Sequence, residues 1–324
     1  MTLRADYLVD RRKLKRSITL WRVLTVLVVL ALAAVVVLQN DRLAAALGYR
    51  PHVARVEISG IIQADHDRIK MLKKIAESDS VKAVLLRVNS PGGTAIGGEA
   101  LHNALLKVRE KKPVVAVFST VATSAAYMAG IASDHIVARG GTITGSVGVI
   151  LQWAEVTELM EKLGIKMEEV KSGALKAVPS PFSPLDEAGR ELTREMVNEA
   201  QQWFVSLVAK SRSLDPALVP GLTEGRIYSG RQALELKLID QIGGEEEAIA
   251  WLEKERGIEK DLKVIDWETE DESGAGLLSG MARILAKWTG FPVSTVESVL
   301  GGNSVLERVQ LDGLVSVWHA QRAR

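Results

Sequence analysis

Short apolar runs alternate with amphipathic stretches through the middle of the chain. The runs HVARVEISGII, VKAVLLRV and VVAVF have the length and the β-branched content of buried strands. Between them, DRIKMLKKIAES and IGGEALHNALLKVREKK repeat apolar residues at helical spacing. This alternation predicts a layered α/β fold with a mainly parallel sheet.

The second half of the pattern is richer in helices. We interpret SAAYMAGIA and AEVTELMEKLGI as helices, DHIVARG and KMEEVKSG as strands, and TGSVGVI as a turn. A long amphipathic helix begins after Asp186, and two further helical stretches and the strand DLKVIDW follow it. These elements predict one domain over residues 50–267.

The acidic stretch ETEDESGAG marks the predicted end of that domain. Beyond it, the apolar residues between Leu277 and Trp288 fall on one helical face. Residues 268–324 are therefore predicted to form a C-terminal extension with an amphipathic stripe. A packing face is favoured over a helix on a membrane surface.

The N-terminus has the pattern of a membrane anchor. Residues 1–22 carry seven Lys or Arg against two Asp, and residues 23–38 carry no charge. With residues 18–21 added, the segment 18–38 is long enough for a hydrocarbon core of about 30 Å. A cleaved signal peptide is the alternative, but the apolar run is long for one. The basic flank predicts a cytoplasmic tail over residues 1–22, with the domain on the outer side.

The amino-acid composition excludes several kinds of partner and site. A net charge of +1 argues against a nucleic-acid partner, and the lack of cysteine excludes disulfides and thiolate metal sites. The five histidines show no zinc-ligand spacing. His135, eleven residues after Ser124, is the best placed of them to act as a base, although a weak candidate.

Ser124, in STVATSAAYMAG, lies between a predicted strand and a predicted helix. A serine there is by default a helix N-cap. The same position would also place an attacking oxygen near the free N–H groups of the helix. The flanks do not form Gly-x-Ser-x-Gly, so the nucleophile elbow of the α/β-hydrolases does not apply.

Two further segments could complete such a site. NSPGG follows a buried strand as a predicted loop, in which Gly92 and Gly93 could turn backbone N–H groups toward an oxyanion, although a plain turn is the simpler interpretation. Lys176 lies in KSGALKAV among apolar residues. Burial lowers the pKa of a lysine and makes it a usable base, whereas a surface lysine is the simpler interpretation.

In order and spacing, VNSPGG, TSAAY, TGSVGV, KSGALK, SPFSPLDEAGRE and EGRIYSGRQALELKLIDQIGG resemble the half-length type of the signal peptide peptidase A family. Members of that family are membrane-bound serine–lysine proteases. The resemblance covers about residues 50–250. It implies a fold of repeated β-α units shared with crotonases and Clp proteases, here preceded by one transmembrane helix.

The resemblance assigns roles to individual residues. Ser124 matches the nucleophile, Lys176 the general base and Ser146 the serine that orients the lysine. Gly93 matches the oxyanion-hole glycine, with Gly92 one position away and Ala125 as a second donor. The chain has Ser-Ala-Ala-Tyr where the family usually has Ser-Gly-Gly-Tyr, and alanine keeps the backbone N–H.

The resemblance also implies a setting. It predicts a single-pass protein of the bacterial inner membrane, with the catalytic domain on the periplasmic side. Residual signal peptides and unfolded apolar segments would be its substrates, and no metal or cofactor is implied. Double-length family members resemble two copies of this fold, so a half-length chain is expected to form a homo-oligomeric ring with shared sites.

Two other classes stay open at this point. One is a non-catalytic crotonase-fold scaffold at the membrane, and the other is an acyl-CoA-processing enzyme of the same fold. The predicted anchor and outward placement argue against a cytoplasmic thioester substrate.

Overall fold

The computed structural model describes residues 20–28, 50–269 and 315–317. Within these residues nine strands form one mixed sheet. They are His52–Ile62 (β1), Val81–Thr94 (β2), Val114–Thr123 (β3), His135–Ala138 (β4), Ile143–Gly145 (β5), Ile227–Ser229 (β6), Gln241–Ile242 (β7), Val264–Trp267 (β8) and Val315–Val317 (β9). The order is β6-β5-β3-β2-β1-β8, with β4 between β3 and β7, and β9 on β2.

Seven α-helices follow residue 50 in the described part of the chain. They are His66–Glu77 (α1), Ala95–Arg109 (α2), Ala125–Gly130 (α3), Thr157–Lys162 (α4), Glu187–Arg212 (α5), Gly230–Glu235 (α6) and Glu245–Arg256 (α7). Two short 3₁₀ turns, Pro216–Leu218 and Leu222–Glu224, separate α5 from β6.

The core explains why the central strands are continuous apolar runs. Alternate residues of β2 face opposite sides: Leu86 packs in the cluster that contains α1, α2 and α3, whereas Leu85 packs in the cluster that contains α7. Strands covered on both faces cannot have a polar side. The strands of the sheet centre, β8-β1-β2-β3-β4, pair in parallel, which confirms the predicted layering.

Three local predictions were wrong. KMEEVKSG is not a strand, because every residue of it is exposed and none pairs with the sheet. The helix in AEVTELMEKLGI covers only Thr157–Lys162 and buries no residue. NSPGG is not a loop, because β1 continues beside it and pairs Ile61 with Gly92 and Ile62 with Gly93.

The two ends of the domain meet. His52 begins β1, Trp267 ends β8, and the indole Nε1–H of Trp267 donates to Nε2 of His52 over 3.0 Å. The rings are also stacked, with centroids 6.1 Å apart. The domain boundary near residue 267 stays a prediction.

The flanking predictions mostly fall outside the described residues. That holds for the extension 268–324, apart from its first two residues and β9, and for the anchor 18–38, apart from a helical segment at 20–28. Among the described residues, no helix has the length and apolar character needed to cross a membrane.

Candidate active site

Ser124 lies where β3 ends and α3 begins, as predicted. Its φ of 59° and ψ of −122° belong to a region that non-glycine residues rarely adopt, at a cost of about 1–3 kcal/mol. The backbone holds this turn: Ser124 N–H donates to the carbonyl of Gly145 over 2.8 Å, and its carbonyl accepts from Met128 N–H over 2.9 Å. Ser124 is only 1% exposed. A strained, over-determined serine is typical of a functional position.

Ala125, the first residue of α3, has no positive φ. The unusual backbone lies at Ser124 itself, so alanine fits where the family usually has glycine. Ala125 is fully buried against α2, and a Cβ built on Gly98 would come within 2.9 Å of its Cβ. The close packing of α2 on α3 fixes the position of the Ala125 backbone.

The end of β2 runs beside Ser124. β2 and β3 pair Ser90 with Ala122. The hydroxyl of Thr123 donates to the Pro91 carbonyl over 3.0 Å, which ties the residue before Ser124 to the residue before Gly92. The predicted oxyanion segment and the predicted nucleophile therefore lie on neighbouring chain segments, as close as adjacent strands allow.

The two glycines of that segment differ. Gly92 has a φ of +109°, and its N–H donates to Ser90 Oγ over 3.1 Å. A Cβ on Gly93 would lie 1.8 Å from the carbonyl oxygen of Ile62, so no other residue fits there. Ser90 also donates to the Gly60 carbonyl over 2.6 Å, which anchors the segment to β1.

Ser146 follows β5 on the other side of Ser124. β3 and β5 pair Thr123 with Gly145, the residue that accepts from Ser124 N–H. Ser146 has a φ of 52°, is partly exposed, and donates its N–H to the Arg226 carbonyl over 2.9 Å. The fold thus brings Ser124, the Gly92–Gly93 segment and Ser146 together.

Lys176 is not part of that group. It lies in a turn closed by its N–H bond to the Gly173 carbonyl, and its side chain is exposed, so the burial predicted from its apolar neighbours is wrong for the single chain. The next residue, Ala177, has a φ of 60°, a left-handed conformation that is unfavourable for alanine.

Lys176 belongs to a projecting segment, residues 150–182, which we call the arm. The Val156 N–H donates to the Pro181 carbonyl over 2.9 Å and closes its base. Large apolar side chains of the arm are exposed, with Val170 at 105% and Leu163 at 65%. Others are Ile150, Leu159, Ile165, Met167, Leu175 and Phe182. A segment this apolar is typical of an interface.

His135 is excluded as the base. It begins β4 opposite Val115, nine residues before Ser124 along β3, which is about 30 Å at the rise of a strand. Its ring stacks on Trp251 with centroids 4.6 Å apart, and Nε2 lies 3.1 Å from Gln241 Oε1. These contacts indicate a structural role.

The sequence did not predict the role of His102, which packs against α3, the helix that follows Ser124. His102 on α2 is 2% exposed, and its Nδ1 lies 2.7 Å from the Met128 carbonyl of α3. Since a carbonyl only accepts, Nδ1 carries the proton. Burial lowers the pKa of His102, although this hydrogen bond opposes the shift. The helical spacing of α2 placed His102 on a face but could not show what covers it.

The buried tyrosine of Ser-Ala-Ala-Tyr is also structural. The hydroxyl of Tyr127 donates to the Leu238 carbonyl over 2.9 Å, and burial raises its pKa. It joins α3 to the segment after α6. In the described part of the chain, no group of three or more His, Asp or Glu side chains could hold a metal ion.

Known proteins resemble this chain over the same region. Residues 107–259 match the family described as Peptidase family S49. A putative signal peptide peptidase SppA of Enterococcus faecium is 37% identical over 242 residues, 74% of this chain and 69% of that protein. The putative protease slr0021 of Synechocystis sp. is 34% identical over 260 residues, 76% of this chain and 94% of that protein.

A further relative and a solved structure also match this chain. The putative protease MJ0651 of Methanocaldococcus jannaschii is 35% identical over 243 residues, 75% of this chain and 76% of that protein. Among solved structures, a mutant of the 1510-N membrane-bound stomatin-specific protease aligns with a TM-score of 0.47 at 16% identity, covering 68% of this chain and 99% of that one. The sequence matches show that the chain belongs to peptidase family S49 and is a serine peptidase of the signal peptide peptidase A family.

Proposed function

We propose that the chain is an endopeptidase in which Ser124 is the nucleophile and Lys176 the general base. Its substrates would be residual signal peptides and other unfolded apolar segments. The observation that carries this proposal is the strained Ser124 turn, held between the Gly92–Gly93 segment and Ser146. A serine in this strained backbone conformation does not stabilise the fold, whereas a nucleophile needs a backbone that directs its hydroxyl toward the substrate.

Two side chains of this protein would carry the proton transfers of the reaction. Nζ of Lys176, as the free amine, takes the proton of Ser124 Oγ while Oγ bonds to the carbonyl carbon of the peptide. The ammonium then returns the proton to the leaving amine, and an acyl-enzyme is left. Lys176 next takes a proton from water, whose oxygen attacks the ester carbonyl. The ammonium then gives that proton to Ser124 Oγ as the ester bond breaks, and the second product leaves. Ser146 would accept a hydrogen bond from the lysine and orient it.

The oxyanion that forms in each step needs backbone donors. Of the two glycines, Gly93 is favoured, because the Gly92 N–H already donates to Ser90 Oγ. Ala125 N–H, at the first turn of α3, is the second candidate. A rigid N–H group that points at the developing negative charge typically contributes about 10²- to 10³-fold in rate.

Lys176 would reach Ser124 from a second copy of the chain. Two features of the arm support this: its lysine is exposed, and its large apolar side chains are exposed as well. A head-to-tail contact of this kind repeats until it closes into a ring. The ring would enclose the sites and admit only extended chains.

The membrane setting belongs to the same proposal. Residues 1–22 would be a basic cytoplasmic tail, 18–38 the anchor, and the domain would lie on the periplasmic side of the inner membrane. The exposed Leu20, Trp21 and Leu27 of the helical segment 20–28 suit an apolar environment. Apolar signal peptides would then be met where they are left.

Phosphonylation by a fluorophosphonate, in which Oγ of the nucleophile bonds to phosphorus and fluoride leaves, tests the proposal. We expect full-length protein in detergent to be labelled at Ser124, Ser124→Ala to be unlabelled, and Ser146→Ala to be labelled slowly. Ser133→Ala is the matched control, because Ser133 donates to the Gly130 carbonyl at the other end of α3. Labelling that persists in Ser124→Ala would contradict the assignment, and a scaffold would give no labelling at all.

A further inference from the structure

We propose that the groove between α1 and α2 is the docking site of residues 277–288 of the same chain, which lie outside the described residues. The groove has a volume of about 500 Å³. Docking there would fix the C-terminal extension on the outer surface of the domain. It does not depend on the proposed function, because neither Ser124 nor Lys176 takes part in it.

The floor of the groove is apolar and its rim is polar. Leu72 and Ala76 of α1 and Val108 of α2 are buried at the floor, and Ile69 and Ala104 are partly buried along it. Every described residue that lines the groove belongs to α1, to α2 or to the two residues after α2. The exposed rim consists of Lys73, Glu77, Asn103, Lys107, Glu110 and Lys111. An apolar trough with a polar rim is suited to an amphipathic helix.

The sequence of residues 277–288 has the matching pattern. Its large apolar residues recur at helical spacing, so that in a helix they would share one face: Leu277, Leu278, Met281, Ile284, Leu285 and Trp288. A helix over these residues would extend about 18 Å, as does α1, which has 12 residues. The segment therefore has both the apolar stripe and the length that the groove requires.

The chain leaves the domain close to the groove. The residues at its exit, 267–269, line a hollow on one flank of α1 together with Asp67, Lys70, Met71, Lys74 and Ser78. At about 3.6 residues per turn, the groove residues Ile69, Lys73 and Ala76 lie on the opposite flank of α1. The path around half of a helix is about 17 Å, whereas the eight residues from Thr269 to Leu277 span up to about 26 Å. The segment can therefore reach the groove.

Charge favours the same path. To pass from one flank of α1 to the other, the chain must cross the outer face of that helix, where Lys73 and Lys74 are exposed. The residues that would cross it include Glu270, Asp271 and Glu272. Opposite charges attract across this crossing. The acidic stretch that follows the domain is therefore complementary to the surface that it would have to cover.

The chain returns on the far side of the groove. Val315 pairs with Thr94, whose side chain caps the N-terminus of α2. The described chain thus lies beside α1 at Thr269 and beside the start of α2 at Val315, and the groove lies between these two helices. The 27 residues from Trp288 to Val315 span up to about 89 Å, so a docked segment can also make the second connection.

A cross-link tests the docking, because the chain has no cysteine of its own. In the full-length protein in detergent, we would combine Ala104→Cys in the groove with Ile284→Cys in the segment and add a short bismaleimide. The control combines Ile284→Cys with Ala250→Cys, an exposed position on α7, which covers the other face of the sheet. Mass spectrometry and denaturing electrophoresis distinguish a link within one chain from a link between two chains.

The reactivity of a single cysteine gives a second measurement that does not depend on the register of the segment. Ala104→Cys should react with a maleimide about tenfold faster when Ile284 and Leu285 are both replaced by Asp, as expected for a thiol that is otherwise covered nine-tenths of the time. Ser279→Asp with Ala286→Asp is the matched control, since it adds the same charges opposite the apolar stripe. It should leave the rate unchanged.

We expect the groove pair to cross-link within one chain and the control pair to remain unlinked. A link between two chains would place the segment on a second copy and overturn the proposal. Equal thiol rates in all three proteins, together with no link within a chain, would also overturn it, as for a segment that lies on the membrane surface or on another protein.

Discussion

The turn at Ser124 and the arm that carries Lys176 are built in opposite ways. Ser124 is 1% exposed and is fixed by β3, β5 and α3, all from its own chain. The arm has no buried residue in its helix α4, and it holds Val170 fully in solvent. One half of the proposed dyad is held rigidly by its own chain, whereas the other half lies on a segment that packs little against that chain.

Replacing the base should have the largest effect. Lys176→Arg should lower kcat/KM for an unfolded peptide by about 10⁴-fold or more, because guanidinium keeps its proton and cannot accept another. The control is Lys171→Arg in the same arm, where the lysine forms a 2.6 Å ion pair with Glu169 that arginine can keep. An active Lys176→Arg enzyme would show that Lys176 is not the general base, and the contrast between a buried nucleophile and an exposed base would no longer hold.

Mixing inactive chains tests whether the halves come from different copies. Ser124→Ala and Lys176→Ala chains, each inactive, should regain up to about a quarter of the activity when coassembled at random in equal amounts, since an intact serine then meets an intact lysine at that fraction of interfaces. Light scattering would verify the mixed assemblies. Verified mixtures without activity would place both halves in one chain.

The glycine edge should be almost as sensitive as the base. Gly93→Ala should lower activity by about 10²- to 10³-fold, because its Cβ would lie 1.8 Å from the Ile62 carbonyl oxygen and must displace the predicted oxyanion donor. Gly141→Ala, where the added Cβ meets nothing within 4 Å, is the control. Circular dichroism would show whether the fold survives. Normal activity in Gly93→Ala would contradict the proposed role.

The arm should tolerate polar residues within one chain but not within an assembly. Val170→Asp should reduce the molecular mass measured by light scattering and lower activity about tenfold, because a charge is then desolvated at the proposed interface. Leu218→Asp is the control, since Leu218 is 76% exposed on a 3₁₀ turn outside the arm. The melting temperature should change little in either. An unchanged mass for Val170→Asp would remove the arm from the interface.

The smallest expected effect concerns the packing beneath Ser124. Burial holds the pKa of His102 below its usual 6.5, so the unfolded chain takes up a proton at a higher pH than the folded one. The free energy of unfolding should therefore decrease as pH falls below about 6.5, by at most about 1.4 kcal/mol per pH unit from this residue. His52, whose pKa burial also lowers, adds a loss of the same sign.

His102→Gln should reduce that slope without removing it, as measured by urea unfolding between pH 5 and 7.5. His319→Gln, outside the described residues, is the comparison variant. An identical slope in His102→Gln and the parent would show that the imidazole is not titrating in this window.

The sequence predicted the nucleophile side better than the base side, for a physical reason. Strands such as VVAVF are buried on both faces, so their apolar runs are unambiguous, and Ser124 follows at their end. The arm buries little in its own chain, so its apolar residues resembled a strand and a longer helix that are absent. Periodicity detects burial without showing which molecule provides it.

The strand register at the end of β2 was the other feature that the sequence did not predict. NSPGG has the composition of a turn, but β1 runs beside it and extends the strand to Thr94. The pairings of Gly93 with β1 and β9 involve residues far apart in the chain, which local propensity does not encode. The role given to Ser146 came from the family resemblance alone, whereas Lys176 was also suggested by its apolar neighbours, and the geometry of both in an assembly stays a prediction.

The contact between His52 and Trp267 brings the first residue of β1 and the last residue of β8 together at one position. The chain enters at His52 and leaves at Trp267, and these two side chains are 3.0 Å apart. A load applied between these two positions would therefore pass through this contact and through the β1–β8 pair, without crossing the sheet to Ser124. The catalytic end of β3 is mechanically isolated from such a force.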